Sequence, residues 1–211
     1  MESADLEKVA EMKLQLLLLK LRDDPKLFIY NFCYTYDPQD KDNPIKKFPR
    51  KEYIDKLIDY YLRERLILIC KSRQMMLTWL IVLLNLWDAM FHVGRQIFFV
   101  SKKEEDANSI VRRAEFVFEH LPPFLKIKKI SKYCYLGFPQ MLSEIRGVSQ
   151  NADALRTYTA SVVFFDEMAF QPYAREAYQA IRPTIESGGK FIGVSTPNGK
   201  NFFYNLLFDL E

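Results

Sequence analysis

Histidine and cysteine are both scarce in this chain of 211 residues. The two histidines are His92 and His120, and the three cysteines, Cys33, Cys70 and Cys134, lack the close spacing of metal ligands. These residues argue against a zinc site, and the odd number of cysteines argues against a disulfide framework. We therefore expect a protein that works in a reducing, intracellular environment.

A large charge excess is also missing. The chain has 30 Lys and Arg residues against 27 Asp and Glu residues, which gives a formal net charge of +3. So small an excess does not by itself indicate nucleic-acid binding, which would need a local basic patch.

A membrane-spanning run is missing as well. The apolar residues 16–19 lie between Gln15 and Lys20, and this run is far shorter than the roughly 20 residues that a membrane span needs. The acidic start, MESADLEK, is unlike a secretory signal peptide. We expect no membrane partner and interpret the segment around residues 16–19 as an amphipathic docking helix.

The composition is that of a folded protein. Hydrophobic residues make up 49% of the chain and aromatic residues 15%, enough to form a substantial core. The length predicts one domain, with or without a small appendage. Because residues 37–44 (DPQDKDNP) are rich in turn formers, we predict an N-terminal appendage over residues 1–50 and a core over residues 51–211.

Short apolar runs alternate with longer amphipathic segments along the chain. Strands buried on both faces are predicted at residues 66–69, 96–100, 162–165 and 191–194. Helices are predicted at residues 5–22, 51–65, 78–91 and 173–186, with another that Ser101 caps and that ends at His120. Residues 126–146 suggest a β-hairpin or meander. This alternation predicts an α/β fold with a mostly parallel central sheet flanked by helices.

The stretch 66–78, LILICKSRQMMLT, combines a strand, a polar turn and the start of a helix. Such a loop binds phosphate through backbone N–H groups, the helix dipole, a lysine and a threonine hydroxyl that reaches Mg²⁺. The usual pattern is G-x-x-x-x-G-K-[ST], but Met76 and Leu77 occupy the positions of the second glycine and the lysine. An ordinary strand–turn–helix corner is therefore the alternative interpretation, and the loss of glycine limits the positive-φ conformations of the loop.

Polar residues also follow two later strands. The segment VVFFDE places Asp166 and Glu167 at a strand end, where open α/β sheets bind ligands. In nucleotide hydrolases the first such carboxylate holds Mg²⁺ and the second activates the attacking water; two solvated acids are the alternative. Ser195 and Thr196 follow the last predicted strand at the same sheet edge, where Thr196 is placed to sense a γ-phosphate.

Three segments, KSRQMMLTWL, LRTYTASVVFFDEMAF and GVSTPNGKNFFY, strongly resemble the ATPase domain of bacteriophage terminase large subunits, the DNA-packaging motors. The resemblance covers most of residues 28–211, with all motifs in the family's order and spacing. It implies a RecA-like P-loop NTPase of the class with an additional strand and a catalytic glutamate (ASCE), which uses ATP and Mg²⁺.

The resemblance also implies a role for each matching residue. Glu167 resembles the catalytic glutamate, Arg73 an arginine that reaches the γ-phosphate, and Arg156 a finger acting on a neighbouring subunit. Asp166 and Thr78 resemble the metal ligands, and Ser195, Thr196 and Pro197 the coupling motif. The implied nucleotide-binding residues are Lys71, Ser72, Arg73, Gln74, Met75, Met76, Leu77, Thr78 and Gln39.

Several of these roles have alternatives. Lys71, which resembles a displaced lysine of the phosphate loop, is otherwise a solvated lysine at a strand end. Arg156 is otherwise paired with a nearby acid, and Arg146 is a rival finger. For the adenine pocket, Gln39 competes with Phe48 and Tyr53, whose aromatic rings also suit core packing. A basic run either tracks a DNA backbone or forms a solvated face; its members are Lys126, Lys128, Lys129 and Lys132.

The function implied by the resemblance is an ATP-hydrolysing motor that moves double-stranded DNA into a procapsid in the cytoplasm of the infected host cell. Its implied partners are the DNA, the portal protein and the small terminase subunit. The motor forms a homo-oligomeric ring, with a monomer as the alternative for the isolated domain. The other functions considered are a related helicase or translocase and a non-hydrolysing assembly module with a degenerate nucleotide site. Because the chain stops soon after the coupling motif, we expect it to lack the nuclease domain.

Overall fold

The computed structural model of the chain describes residues 3–151, 155 and 159–208. The strands of this part are β1 (Tyr34–Tyr36), β2 (Ile45–Lys47), β3 (Leu66–Cys70), β4 (Gln96–Ser101), β5 (Ile130–Lys132), β6 (Tyr135–Phe138), β7 (Ser143–Ser149), β8 (Val162–Asp166) and β9 (Lys190–Ser195). Its α-helices are α1 (Ser3–Asp23), α2 (Pro25–Phe32), α3 (Glu52–Arg63), α4 (Leu77–Phe91), α5 (Glu104–Glu119), α6 (Ala174–Glu186) and α7 (Phe202–Leu207). Short 3₁₀ turns lie at Pro123–Leu125, Pro139–Met141 and Met168–Phe170.

Seven of the strands form one sheet in the order β3-β9-β8-β4-β7-β6-β5. The first five strands in this order run parallel to one another, whereas β6 and β5 are antiparallel additions at one edge. The mostly parallel α/β sheet is therefore confirmed, and so is the predicted meander, which continues into β7. β1 and β2 pair separately as an antiparallel hairpin.

The centre of the sheet is built from the apolar runs that predicted it. In β8, the four residues before Asp166 are almost completely buried, with exposed fractions of 0–1%. Such a strand has no solvated face, because helices cover both sides of a parallel sheet. The ends of the predicted helices and strands agree with the observed ones within two residues.

Two predictions about the strands were wrong. β3 is not buried on both faces, since Leu66 is 48% exposed. It is an edge strand, with only β9 as a neighbour in the described part of the chain. Ser101 does not cap a helix, because it is the last residue of β4 and is paired with Ser149 of β7. The residue before α5 is instead Lys103, in an extended conformation and without a side-chain cap.

α4 joins the sheet to the N-terminal helices. Its residues from Leu80 to Met90 are all buried, including the polar Asn85 and Asp88, so this part of α4 has no solvated face. α1 and α2 pack on its outer face, where the Trp87 indole donates a hydrogen bond to the Leu21 carbonyl at 2.7 Å. Phe28 meets Phe91 edge to face, with ring centroids 5.5 Å apart.

Residues 21–48 thus contribute to the same apolar cluster as α4, through Leu21, Phe28, Cys33 and Phe48. The division near residue 50 remains a prediction. No helix in the described ranges is both long and apolar enough to cross a membrane.

Phe28 offers a test of how the N-terminal segment and the core are coupled. We expect Phe28→Ala to lower the free energy of unfolding of the whole chain by about 3–5 kcal/mol, because the ring is completely buried and its removal leaves a cavity. Urea unfolding followed by circular dichroism measures this change.

The matched control is Leu19→Ala, which truncates a side chain that is 49% exposed in the same segment and should change the free energy by less than about 0.5 kcal/mol. If Phe28→Ala left the main unfolding transition unmoved, the N-terminal segment would be an independent appendage.

Candidate active site

Residues 71–76 form the loop between β3 and α4. None of these residues is glycine, yet two of them adopt left-handed backbone conformations, Gln74 with φ 62° and Met76 with φ 58°. The lost glycine therefore does not prevent the positive φ; each such residue costs roughly 1–2 kcal/mol. The Tyr53 hydroxyl supports the strained loop by donating a hydrogen bond to the Met75 carbonyl at 3.1 Å.

The loop leads directly into the N-terminus of α4. Met76 occupies the capping position, and no side-chain hydrogen bond caps the helix there. The first backbone N–H groups of a helix have no partner within the helix, and they carry the positive end of its dipole. The start of α4 can therefore accept an anion.

Thr78, in the first turn of α4, lies beside the end of β8. Its hydroxyl donates a hydrogen bond to Asp166 Oδ1 at 2.9 Å. Burial raises the pKa of Asp166, although the Thr78 hydrogen bond and the positive charge of Arg113 act in the opposite direction. A bound cation would stabilise this carboxylate as an anion. Oxygen ligands from a carboxylate and a hydroxyl suit Mg²⁺, which takes its remaining ligands from phosphates and water.

Lys71 and Glu167 form an ion pair across the end of the sheet. Lys71 Nζ lies 2.7 Å from Glu167 Oε1, and the lysine side chain is only 8% exposed. The other carboxylate oxygen of Glu167, Oε2, accepts hydrogen bonds from the backbone N–H and the hydroxyl of Thr196, both at 3.2 Å. Lys71 is therefore not a solvated lysine at a strand end.

The surroundings of Glu167 shift its pKa in the opposite direction from that of Asp166. Burial alone would raise the pKa of Glu167, but the hydrogen bonds from Lys71 and Thr196 outweigh it and hold the pKa below its usual value. Glu167 also has a positive φ of 47°, so the backbone leaves the extended conformation directly after β8 ends at Asp166. A group in this state is an ionised carboxylate at neutral pH, as a base that orients water must be.

Ser195 lies beneath this carboxylate and is completely buried. Its Oγ accepts a hydrogen bond from the Ala169 N–H at 3.0 Å. The Ala169 carbonyl in turn accepts hydrogen bonds from the side chains of Asn198 and Asn201. The end of β9 is thus connected through the turn after β8 to Asn201, which caps α7.

Two open cavities flank the ion pair. One, of about 460 Å³, is lined by Asp166, Glu167, Thr196 and Arg73 among others. The second, of about 580 Å³, lies beside the loop. It is lined by Gln39 of the N-terminal segment and, from the loop and the start of α4, by Lys71, Gln74, Met75, Met76, Leu77, Thr78 and Trp79 among others. The structure therefore brings most of the predicted site residues to these two cavities.

Arg113 forms part of the wall of both cavities. It lies on α5, and its guanidinium is 5.5 Å from the centre of the Trp79 ring. This residue was not among the predicted site residues, because α5 follows β4 and carries none of the recognised motifs. A polar position on the buried-facing side of an amphipathic helix is the only local pattern that singles it out.

The remaining predicted residues are placed differently. Ser72 and Pro197 are exposed and line neither cavity. Phe48 is buried in the core and Tyr53 supports the loop, so neither aromatic ring forms part of the second cavity wall. Arg156 lies outside the described residues.

Arg146, the rival finger, lies on β7. Its guanidinium forms two hydrogen bonds with Glu144, at 2.6 and 3.0 Å, and packs over Tyr135. It lines neither cavity. A single chain does not test a role between subunits, so this role stays a prediction.

The predicted basic run is partly neutralised. Lys129 pairs with Glu115 and Glu119 of α5, and Lys126 also reaches Glu119. Lys128 and Lys132 are exposed. Any DNA contact by this run would therefore depend mainly on these two exposed lysines.

Comparison with known proteins identifies a family. Residues 68–209 match the family model described as "Terminase large subunit, T4likevirus-type, N-terminal". The large-terminase ATPase domain of Thermus phage P74-26 has a similar structure, with a TM-score of 0.57 and 22% sequence identity over 74% of this chain and 68% of that chain.

Two longer proteins have the same fold. The large terminase of bacteriophage HK97 gives a TM-score of 0.63 at 15% identity, over 85% of this chain and 38% of that chain. The large terminase of a thermophilic bacteriophage, in complex with ATP-gamma-S, gives a TM-score of 0.60 at 13% identity, over 76% of this chain and 42% of that chain. The RecA-like fold is thereby confirmed, and this chain spans less than half the length of these two proteins.

Asp166 generates a prediction about stability without nucleotide. The pKa of Asp166 in the folded protein is raised, so at pH values above it the ionised carboxylate lowers the stability of the folded state. Below the pKa in the unfolded chain, roughly 3.9, the carboxyl is protonated in both the folded and the unfolded state, and this loss of stability disappears. We expect Asp166→Asn, which still accepts the Thr78 hydrogen bond, to raise the melting temperature at neutral pH and not at acid pH.

Thermal unfolding at a series of pH values, without nucleotide or Mg²⁺, measures this difference. Asp106→Asn is the control, because Asp106 lines the same cavity but is exposed; this substitution should not raise the melting temperature. A lower melting temperature for Asp166→Asn at neutral pH would show that favourable charge interactions outweigh burial.

Proposed function

Because this chain belongs to the family of T4-like-virus-type terminase large subunits, matching its N-terminal region, we propose that it is an ATP-hydrolysing motor domain that drives double-stranded DNA into a procapsid. The observation that carries the ATPase proposal is the group of residues at one sheet edge. There Glu167 is held by Lys71 and Thr196, and Asp166 lies beside the Thr78 hydroxyl.

ATP would bind across the two cavities, with its phosphates at the start of α4. The cavity beside the loop offers Gln39 and Trp79 to the base, since an amide can hydrogen-bond a base edge and an aromatic ring can stack on it. The remaining loop residues from Ser72 to Leu77 would contribute mainly backbone N–H groups. Asp166 and Thr78 would hold Mg²⁺, which neutralises charge on the phosphate oxygens when bound.

Glu167 would act as the base that orients and activates water. Its charge is balanced by Lys71, which lies 2.7 Å from one of its carboxylate oxygens. Phosphate oxygens at the loop would compete for the same ammonium group, because Lys71 also lines the cavity beside the loop. Binding of ATP would then release Glu167 toward the water, which couples activation of the base to occupancy of the site.

Cations would stabilise the charge that develops during phosphoryl transfer. Arg73 and Arg113 line the cavity that holds Glu167, so both can act within the subunit. Arg156 of a neighbouring subunit would add a third arginine in an assembled homo-oligomeric ring, with the isolated domain monomeric.

Thr196 would report the state of the phosphates to the rest of the domain. It contacts Glu167 directly, and Ser195 beside it accepts a hydrogen bond from the turn after β8, whose Ala169 carbonyl is bonded to Asn201 at the start of α7. Loss of the γ-phosphate would change the contacts of Glu167 and shift the hydrogen-bonded residues between Thr196 and α7. Pro197, which follows Thr196, would be the conformationally stiff residue of this segment. Motion of this kind would be passed on to DNA.

The whole motor would work in the cytoplasm of the infected host cell. Its partners would be double-stranded DNA, the portal protein of the procapsid and the small terminase subunit. Contacts to the DNA backbone need positive charge rather than base-reading geometry, and the exposed Lys128 and Lys132 supply such charge.

Glu167→Gln tests the catalytic assignment. We expect ATP turnover to fall by roughly 10²–10⁴-fold, the usual contribution of a general base. Affinity for ATP-gamma-S should be unchanged or tighter, because Lys71 loses its competing ion pair. Phosphate release and isothermal titration calorimetry measure the two effects, with Glu64→Gln on the exposed surface as the control.

Lys71→Ala should weaken nucleotide binding in the same assays, whereas Glu167→Gln should not. We expect nucleotide affinity to fall at least about tenfold, since a charge-assisted contact to phosphate is lost.

Unchanged turnover in Glu167→Gln would overturn the catalytic assignment. Absence of nucleotide binding in the natural protein would overturn the ATPase proposal as a whole.

Arg113→Gln tests the residue that the sequence motifs do not include. We expect ATP-gamma-S affinity to fall by about 10–100-fold, because one charged hydrogen-bond donor to phosphate is removed. Arg112→Gln is the matched control, since Arg112 is the preceding residue of α5 and is exposed outside both cavities. Equal affinities of the two variants would show that Arg113 does not contact the nucleotide.

A further inference from the structure

α1 has two apolar faces, and only one of them packs on the rest of the protein. Leu21 at its C-terminal end is completely buried, and Leu17 and Leu18 are partly buried against the same core cluster. At 3.6 residues per turn these three leucines lie within one side of the helix. They account for the attachment of α1 to the body of the protein.

The opposite side of α1 carries a second apolar stripe, the α1 seam, formed by Val9, Met12, Leu16 and Leu19. Their exposed fractions are 43%, 69%, 54% and 49%. Their spacing of three, four and three residues is the a/d pattern of a coiled coil. Because α1 packs on the rest of the protein through its other face, this stripe has no role in the fold described above.

Three of the positions that flank the α1 seam are lysines, and a fourth is the neutral Gln15. Lys8 and Lys13 border Val9 and Met12, and Lys20 borders Leu19. All three lysines are exposed, and none forms an ion pair with another described residue. The acids Glu7 and Glu11 lie away from the seam, toward the opposite side of the helix, whereas Asp5 lies on the seam side one turn before Val9. Flanking e and g positions select the partner of a coiled coil by charge.

This charge pattern excludes two occupants. A second parallel copy of α1 would place Lys8 against Lys13 of its partner, and an antiparallel copy would also bring lysines together, so like charges oppose self-pairing. A membrane surface fits poorly as well, because interfacial helices are rich in Lys and Arg on the polar face, whereas the exposed Glu7 and Glu11 lie on the side of α1 away from the seam. The α1 seam is narrow, and α1 has no aromatic residue.

We propose that the α1 seam docks an acidic amphipathic helix of a different protein, in a short heptad pairing with acidic residues opposite Lys8, Lys13 and Lys20. Val9, Met12, Leu16 and Leu19 supply the apolar contact, and the lysines supply selectivity. This inference does not depend on the nucleotide site, so either proposal can fail without the other.

The test uses the full chain and two synthetic heptad peptides of about three heptads, both with Leu at a and d. One peptide has Glu at e and g, and the other has Lys. The acidic peptide should bind and gain helicity in circular dichroism, more weakly at high salt, whereas the basic peptide should not bind. In calorimetry, Met12→Gln/Leu16→Gln should weaken binding of the acidic peptide at least about tenfold.

Glu7→Gln/Glu11→Gln is the control, since both acids lie off the seam and the variant should bind normally. Melting temperatures and helix content confirm that each variant folds. Equal binding of both peptides, or no binding of either, would overturn the proposal. So would self-association of the natural chain that Met12→Gln/Leu16→Gln abolishes, or seam-dependent binding to phosphatidylserine vesicles without peptide binding.

Discussion

The ion pair between Lys71 and Glu167 connects two strands that are not adjacent, because β9 lies between β3 and β8 in the sheet. It can form only because all three strands are parallel and in register, with Cys70 opposite Ser195 and Asp166 opposite Val194. Thr196, directly after β9, then contacts Glu167 through its backbone N–H and its hydroxyl. A slip of one strand would separate all these side chains, so the site depends on the sheet register.

Adjacent carboxylates at the end of β8 are given different properties by their neighbours. Burial raises the pKa of Asp166, whereas hydrogen bonds from Lys71 and Thr196 outweigh burial and lower the pKa of Glu167. Environments that push two acids apart in pKa allow separate roles. One suits a group that would hold a cation, and the other a base that is ionised at neutral pH.

The loop before α4 shows how a tight strand–turn–helix loop can form without any glycine. Gln74 and Met76 adopt the positive φ values that glycine would adopt without strain. The cost is offset by structure around the loop, including the Tyr53 hydrogen bond and the buried start of α4 at Leu77. Strain at such a position is typical of functional sites.

The sequence by itself determined the strands, most helix ends, the positions of Asp166 and Glu167, and the family, because these depend on local periodicity and on motifs of contiguous residues. It did not determine that β3 is an edge strand, that Ser101 stays in β4, or that Arg113 shares a wall with Asp166. Tertiary structure decided these, because strand order and register bring together residues that are far apart in the chain. Local patterns report which side chains are buried, whereas a site depends on which buried elements become neighbours.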